Sequence, residues 1–217
     1  MDVQSHWDRI YQTKKPSQVS WYRAHLEKSI ELIVSAAESR DACIIDIGGG
    51  ESTLVDDLLD RGYHHLSVLD ISRTAIDFTR KRLGERAALV SWLVGDITLL
   101  ELPKRHYDVW HDRAVFHFLT TAVVRRAYVR QVSEAVKPGE NVIVATFGPE
   151  GPLKCSGLDV VRYDAEALHE EFGAQFQLVK HVSENHETPF GTTQQFLYCY
   201  CKLSADSGSH SRMLDTP

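Results

Sequence analysis

The sequence predicts a single doubly wound α/β domain with a mostly parallel, seven-stranded sheet and a reversed C-terminal strand. From residue 43 to residue 147, continuous apolar runs alternate with amphipathic segments. Such runs are typical of parallel strands that helices cover on both faces. After residue 172, two further runs follow each other across a short loop with no room for a crossover helix, which requires an antiparallel pair.

The chain begins with an aromatic-rich lead. Helical spacing predicts a first helix with its apolar positions at His6, Trp7, Ile10 and Tyr11. After the segment "VSWYR" at residues 19–23, a second amphipathic helix has its apolar face at Leu26, Ile30, Ile33, Val34 and Ala37. We expect a helical lead or lid over residues 1–40, a main domain over residues 41–203 and a polar tail over residues 204–217.

The main domain has the alternating pattern from which the fold class follows. Apolar runs predict strands at residues 43–47, 66–71, 89–94, 107–110 and 142–147. Helical patterns occupy residues 53–61, 73–83 and 122–136, and "KPGEN" at residues 137–141 predicts a helix stop and a turn into the next strand. A helix over residues 165–172 precedes the last two strands, residues 176–182 and "QQFLYCYCKL".

Composition excludes several classes of protein. The 217 residues carry a net charge of −6, which disfavours a broad surface for a nucleic acid backbone or an anionic membrane. No apolar run approaches the ~18 residues of a spanning helix, and the first residues lack a secretory signal pattern. Four cysteines and eleven histidines show neither a disulfide framework nor metal-ligand spacing. We expect a reduced, cytoplasmic protein, monomeric or weakly dimeric, without a metal, nucleic acid or membrane partner.

The stretch "IIDIGGGESTLV" at residues 44–55 predicts a ligand site at the end of the first strand. No Gly-Lys-Ser/Thr follows the glycines, which excludes a Walker loop. Gly48 and Gly50 fit the dinucleotide fingerprint, but Thr53 stands where its third small residue belongs. Asp46 precedes the glycines and would repel a phosphate, whereas it suits a charged amino-acid group.

Two more acids follow neighbouring strands. Asp70 ends the second strand, where a carboxylate accepts hydrogen bonds from both hydroxyls of a ribose. Asp96, in "VGDI", follows the third strand and is placed to accept from an exocyclic adenine amine. Each acid alone is also explained as a helix cap or surface residue. Their joint position at the carboxyl ends of successive strands favours one ligand crevice.

These motifs and the terminal hairpin resemble the class I S-adenosylmethionine-dependent methyltransferases. The resemblance covers residues 41–203 and implies a Rossmann-like methyltransferase fold with S-adenosyl-L-methionine as cofactor. Ser52 departs from the family pattern, because it replaces the last glycine of the motif. The cofactor-binding residues that we predict are Asp46, Gly48, Gly49, Gly50, Asp70, Ile71, Asp96, Ile97, His111, Trp7, Tyr11 and Trp21.

The segment "YDVWHDRAVFHFLT" after the fourth strand is the predicted catalytic cluster. His111 is a candidate general base, Asp112 a candidate to orient an amine or bind the cofactor's amino group, and Arg113 a candidate clamp for an acid. Two alternatives remain open: a structural Asp112–Arg113 ion pair, and a core position for His117. The Asn/Asp-Pro-Pro-Tyr/Phe signature of enzymes that methylate nucleic acid bases is absent.

"HWDRIY", "VSWY" and "YDVWHDRAVFHFL" further resemble the branch that contains methyltransferases of elongation-factor lysines. Asp112 and Arg113 match the Glu-Lys of that branch, whereas Ala114 and Val115 depart from its Gly-Thr. The resemblance implies a lead that folds over the cofactor as a lid and carries Trp7, Tyr11, Trp21 and Tyr22. The alternative is a helix that packs on the sheet through an aromatic stripe.

The predicted function is methyl transfer to a small-molecule or protein acceptor by in-line displacement. A small-molecule acceptor requires an aromatic-capped pocket, whereas the alternative, a protein-lysine N-methyltransferase, requires an open channel for an extended side chain. We expect acceptor contacts from the loop "FGPEGPLKCSG" at residues 147–157, with no catalytic role for Cys155. Less favoured alternatives are an NAD(P)-dependent oxidoreductase and a non-catalytic cofactor-binding module.

Overall fold

A computed structural model describes residues 2–205, so most of the predicted polar tail lies outside the described residues. The helices are α1 Val3–Thr13, α2 Glu27–Ala36, α3 Leu54–Asp60, α4 Arg73–Leu83, α5 Ala122–Ala135 and α6 Ala165–Phe172. The strands are β1 Ile44–Ile47, β2 Leu66–Asp70, β3 Val90–Val94, β4 Tyr107–Arg113, β5 Val136–Phe147, β6 Lys154–Cys155, β7 Leu158–Asp159, β8 Phe176–Glu187 and β9 Thr193–Leu203.

Seven of these strands form one sheet in the order β3-β2-β1-β4-β5-β9-β8. The strands β1 to β5 are parallel, and β9 runs antiparallel to both β5 and β8. The predicted fold class is therefore confirmed. The reversed strand is last in the chain but sixth in the sheet, because the hairpin turns back and leaves β8 as the edge.

The core lies on both faces of this sheet, as continuous apolar strands require. Neighbouring residues of β1 divide between the faces: Ile44 packs in the cluster that includes α2 and α3, and Ile45 packs with α5 and α6. All four residues of β1 are buried. This burial on both sides holds the carboxyl ends of β1, β2 and β4 at one common edge.

Three segments differ from their predicted boundaries. The strand β4 continues to Arg113 because β1 and β5 pair with it along that length, so the predicted catalytic cluster lies within the strand. The strand β5 begins at Val136, and "KPGEN" forms a bulge between the partners of Tyr107 and Val109, with Gly139 at φ +86°. The short ribbon β6–β7 inside the loop after β5 was not predicted.

The two helices of the lead differ in burial. Helix α2 buries Ile30, Leu32 and Ile33 against the sheet, whereas α1 has no fully buried residue. Helix α1 instead packs beside α4 at the carboxyl edge of the sheet. None of the helices within residues 2–205 has the length and apolar character needed to cross a membrane.

Candidate active site

A cavity of about 330 Å³ lies at the carboxyl edge of the sheet. One end of it is bordered by Asp70, Ile71, Asp96 and Ile97, which follow β2 and β3. We call this the acidic end. The opposite end, which we call the aromatic end, is bordered by residues from the lead, β4, β5 and β9: Trp7, Trp21, Arg113, Phe118, Phe147, Cys155 and Phe196.

Asp70 is held rigidly at the acidic end by the turn that contains the glycines. Its Oδ2 accepts a 3.0 Å hydrogen bond from the Gly50 amide, and its Oδ1 accepts one of 2.8 Å from the Ser72 amide. The carboxyl group is buried, and this burial raises its pKa to about 6 even though the two amides oppose the shift. The arrangement presents the remaining lone pairs of Asp70 to the cavity.

Asp96 lies in the turn after β3 and lines the same cavity as Asp70. Its Oδ1 accepts from the Thr98 amide at 2.8 Å and from the Thr98 hydroxyl at 2.7 Å, which fixes the side chain. Gly95 donates its amide to the Asp70 carbonyl at 3.0 Å and thereby ties the two acids together. The structure thus brings both predicted acids, with Ile71 and Ile97, to one wall.

The three glycines after β1 have separate roles. Gly48 has φ +71° and borders the cavity, and Gly49 leaves space for the Asp46 carboxylate, which a Cβ would overlap. A Cβ on Gly50 would lie 2.6 Å from Asp70 Oδ2. Gly50 lines neither this cavity nor its smaller neighbour. It therefore positions Asp70 through its amide, which differs from the direct cofactor contact that we predicted.

A smaller cavity of about 50 Å³ adjoins the first and shares Gly48 and Arg113 with it. Its charged lining consists of the acids Asp46 and Glu51 and the cations Arg23 and Arg113, with His111 beside them. Burial raises the pKa of Glu51 to about 7, with Arg82 opposing and Asp70 adding to the shift. A small space with charges of both signs suits a group that is itself zwitterionic.

His111 belongs to this smaller cavity and does not border the larger one. A buried hydrogen bond of 2.7 Å joins His111 Nδ1 to Asp46 Oδ1, since the two residues are paired in register on β4 and β1. Its Nε2 is buried without a protein partner. The pair fixes the orientation of both side chains, and the general-base role of His111 stays a prediction.

Asp112 points to the opposite face of the sheet from His111. Its carboxylate accepts from the amides of Val115 and Phe116, at 2.8 and 3.1 Å, and from the Tyr128 hydroxyl at 2.5 Å. The side chain is fully buried, which raises its pKa to about 6, and it borders neither cavity. This geometry argues against the predicted catalytic role, because Asp112 holds the turn after β4 in place.

Arg113 returns to the cavity face of β4 and borders both cavities. Its Nε donates to Tyr198 Oη at 3.1 Å, its Nη1 donates to the Trp21 carbonyl at 3.3 Å, and its Cζ lies 4.0 Å above the centre of the Phe196 ring. The alternative of an Asp112–Arg113 ion pair is therefore wrong, since the two side chains leave the strand on opposite faces.

The aromatic residues of the lead cover the cavity. Trp7 and Tyr11 from α1 and Trp21 from the following segment line it, whereas Tyr22 lines neither cavity. The Trp7 ring lies 5.7 Å from Trp21 and 5.2 Å from Phe118 in edge-on contacts. The stripe on α1 thus faces a hollow space, and it is not packed into the core.

Hydrogen bonds between α1 and the first turn of α4 fasten this lid to the domain. Asp8 Oδ1 on α1 accepts from the Ser72 hydroxyl at 2.6 Å and from the Thr74 amide at 3.1 Å, at the first turn of α4. Because Ser72 directly follows Ile71, the same turn carries the lid contact and the acidic end of the cavity. The position of the lid and the shape of the acidic end therefore depend on the same turn.

We expect Asp8→Ala to weaken binding of S-adenosylhomocysteine by about tenfold, since charge-assisted hydrogen bonds of this kind contribute roughly 1.5 kcal/mol. Isothermal titration measures the affinity, and limited proteolysis after Arg9 reports lid opening. The matched control is Asp2→Ala, which removes the exposed N-cap of the same helix without touching α4. Equal losses of affinity in the two variants would mean that the stability of α1, and not its contact to α4, causes the weaker binding.

The aromatic end contains Phe196, which the motifs did not single out. Phe118 and His117 follow β4, and Phe196 is on β9, far from the motifs in sequence. His117 accepts from the Phe147 amide through Nδ1 at 3.2 Å, and burial lowers its pKa to about 3, so it is neutral. This confirms the core position that was the alternative for His117. The sequence signals for this end came from the lead, from the segment after the fourth strand and from the loop after β5.

We expect the affinity for the nucleoside part of the predicted cofactor, S-adenosyl-L-methionine, to rise from pH 5 to pH 7 and then to level off. Asp70 has a pKa of about 6, and its protonated form has lost an acceptor site for a ribose hydroxyl. 5′-Methylthioadenosine is the suitable ligand, because it lacks the amino-acid end that would face Glu51. Titrations across this range should show the rise in the wild type and a flat profile in Asp70→Asn; a flat wild-type profile would contradict the assignment.

Known proteins similar to this chain in sequence are methyltransferases. Residues 44–139 match the family model described as "Methyltransferase domain". The eEF1A lysine and N-terminal methyltransferase of Mus musculus is 28% identical over 116 residues, which is 54% of this chain. The matched segment is only 16% of the length of that relative.

Solved structures share the whole fold. A protein studied for the conversion of a disulfide bond into a thioacetal group during echinomycin biosynthesis superposes with a TM-score of 0.77 and 17% identity, over 96% of this chain and 94% of the other. The 1,6-didemethyltoxoflavin-N1-methyltransferase of Burkholderia thailandensis has a TM-score of 0.64 and 15% identity, over 93% and 84% of the two chains. At these identities the likeness shows the fold alone.

The fold, the motif order and the family match define a class of protein. The match of residues 44–139, the similarity to curated methyltransferases and the shared fold together support the class I S-adenosylmethionine-dependent methyltransferases as the class of this chain and S-adenosylmethionine as its cofactor. The residues present fit this group: two fixed carboxylates border the cavity, and Gly48, which also borders it, lets the Val115 side chain pack where a Cβ would overlap it. The predicted class and cofactor are thereby confirmed, and the oxidoreductase alternative lacks support.

Proposed function

We propose that this chain transfers a methyl group from S-adenosylmethionine to a small-molecule acceptor bound at the aromatic end of the cavity. One observation carries the proposal: a single cavity extends from Asp70 and Asp96 to Phe147 and Phe196 under aromatic residues of the lid. A nucleoside held at the acidic end would place its other end toward the aromatic end. The acceptor space is thus lined by side chains of this chain.

The residues of the chain would hold and shield the reactants. Asp70 would accept from the ribose hydroxyls, Asp96 would accept from the adenine amine, and the smaller cavity would take the charged amino-acid end beside Asp46 and Glu51. When bound, S-adenosylmethionine supplies an electrophilic methyl group whose bond to sulfur breaks, with the electron pair left on sulfur, as a lone pair of the acceptor bonds to carbon. Alignment and exclusion of water are the contribution of the protein.

The aromatic end offers no strong base for the acceptor. Among the described residues that border the cavity, the carboxylates are Asp70 and Asp96, both at the acidic end. Cys155 stays protonated, since burial raises its pKa to about 11. The acceptor atom must therefore react with a lone pair that is already free, and any proton on it would leave to water.

Methylation of a protein lysine is the second candidate. The curated relatives that match this chain include the eEF1A lysine and N-terminal methyltransferase, which favours it. The cavity disfavours it in two respects: a lysine ammonium requires a group that removes its proton, and Arg113 would repel it. We therefore place the small-molecule acceptor first.

Two measurements test the proposal. Isothermal titration should show that S-adenosylhomocysteine binds, and failure to bind at millimolar ligand would overturn the assignment of the site. S-adenosylmethionine with a tritiated methyl group, incubated with protein and fractionated lysate, should then label small metabolites. Label confined to a protein band would overturn the small-molecule acceptor in favour of lysine, and a protein that binds but never turns over would be a non-catalytic module.

A further inference from the structure

One buried donor at the aromatic end has no partner. Arg113 uses Nε and Nη1 for hydrogen bonds to Tyr198 and Trp21, but its Nη2 is buried and unbonded. An unsatisfied guanidinium nitrogen costs on the order of 2 kcal/mol when no water or ligand replaces its lost hydration. Because Arg113 borders the cavity, its guanidinium is the cation that a molecule entering the aromatic end would meet, and Nη2 is its nitrogen without a protein partner.

The electrostatic surroundings of Arg113 favour an anion. Of the charged residues that border the larger cavity within the described chain, Asp70 and Asp96 are at the acidic end, so Arg113 gives the aromatic end a positive charge. Glu184 is one hydrogen bond further away, beyond Tyr198, and already forms an ion pair with Arg23 at 3.1 Å. The positive charge of Arg113 is therefore not neutralised by a direct carboxylate partner.

The side chain is also held in the geometry that such binding requires. Its Cζ lies 4.0 Å from the centre of the Phe196 ring, and Phe196 borders the larger cavity and not the smaller one. Phe118, Phe147 and Trp21 provide apolar walls around it. A fixed, planar fork of donors beside aromatic rings matches a carboxylate attached to a flat or apolar body.

We propose that Arg113 binds an anionic group of the methyl acceptor, and that the acceptor is a small acid with a ring or another flat apolar body. This inference rests on the proposed function, since it assigns the substrate class of the same cavity. It makes Arg113 a residue that determines specificity. It also explains how a site without a carboxylate at this end selects its acceptor: neutral molecules lose the charge-assisted bond, and cations are repelled.

The carboxylate that Arg113 binds has two possible sources: the acceptor and the amino-acid end of the cofactor. Arg113 also borders the smaller cavity, where that end would lie. The contact of its guanidinium with the Phe196 ring places it toward the larger cavity, which favours the acceptor. Comparing S-adenosylhomocysteine with 5′-methylthioadenosine separates the sources, because only the first carries a carboxylate.

The test uses the full chain saturated with S-adenosylhomocysteine and three probes of equal size: benzoate, benzyl alcohol and benzylamine. Tryptophan fluorescence follows binding, because Trp7 and Trp21 border the cavity. We expect benzoate to bind about tenfold more tightly than benzyl alcohol, as for one charge-assisted hydrogen bond, and benzylamine to bind most weakly. Equal affinities for benzoate and benzyl alcohol in the wild type would overturn the proposal without any variant.

The variants locate the effect at Arg113. Arg113→Met should remove the preference for benzoate, Arg113→Lys should retain part of it, and the control Lys154→Met, which removes an exposed cation of the neighbouring loop, should keep it whole. If Arg113→Met weakens S-adenosylhomocysteine but not 5′-methylthioadenosine, Arg113 holds the cofactor's carboxylate and the proposal is wrong. If the wild type binds neither S-adenosylhomocysteine nor 5′-methylthioadenosine, the result would count against the proposed function instead.

Discussion

Replacing Asp70 with asparagine is expected to weaken binding of S-adenosylhomocysteine by about 100-fold, or about 3 kcal/mol. In the proposed site the carboxylate accepts hydrogen bonds from both ribose hydroxyls, and an amide has only one acceptor oxygen for them. Asparagine would in addition set an NH₂ group against the amide of Gly50 or Ser72, both of which now donate to the carboxylate. The substitution therefore removes ligand contacts and disturbs the turn that presents them.

Asp70→Asn should change the stability of the protein much less than it changes the affinity for the ligand. Burial raises the pKa of Asp70 to about 6, so the ionised carboxylate is more costly in the folded state than in the unfolded state above that pH. Removing this charge at pH 7.5 relieves that cost, which offsets the lost backbone contacts. We expect thermal unfolding of Asp70→Asn to stay close to that of the wild type.

Isothermal titration with S-adenosylhomocysteine and a thermal melt separate the two effects. Asp77→Asn is the matched control, since Asp77 is an exposed acid of α4 with only a long ion pair to Arg80, at 3.9 Å. It should leave the affinity unchanged. Wild-type affinity in Asp70→Asn would show that the nucleoside does not lie at the acidic end, and the proposed function would lose its main support.

Replacing Asp112 with alanine is expected to lower the free energy of unfolding by about 4 kcal/mol, because it leaves three buried donors without an acceptor. These are the amides of Val115 and Phe116 and the hydroxyl of Tyr128. At about this size of chain, such a loss lowers the melting temperature by roughly 10 °C. The protein that remains folded at low temperature should bind S-adenosylhomocysteine with little change in affinity.

Asp164→Ala is the reference variant for the loss of free energy of unfolding in Asp112→Ala. Asp164 caps α6 and accepts from one amide, that of Ala167 at 2.9 Å, at an exposed position. Loss of such a cap costs about 1 kcal/mol. Chemical denaturation of the three proteins measures the difference. A variant Asp112→Ala with wild-type stability and no turnover would instead restore the catalytic role that the sequence suggested.

The sequence by itself determined the architecture and the acidic end of the site. Burial on both faces makes the strands continuous apolar runs, and the short loop between the last two strands leaves only an antiparallel pairing, so topology follows from pattern. Asp70 and Asp96 are found from the sequence for the same reason: each follows a strand, and parallel strands end at one edge. These positions depend on local order along the chain.

Only the tertiary structure decided what the cluster at residues 111–113 does. Because side chains of a strand alternate between its faces, His111 joins Asp46 beside the smaller cavity, Asp112 caps a buried turn, and Arg113 returns to the cavity side. The aromatic partners of Arg113 come from β5, β9 and the lead, which the sequence separates widely. Their meeting depends on the pairing of β9 with β5, a long-range contact that no local pattern encodes.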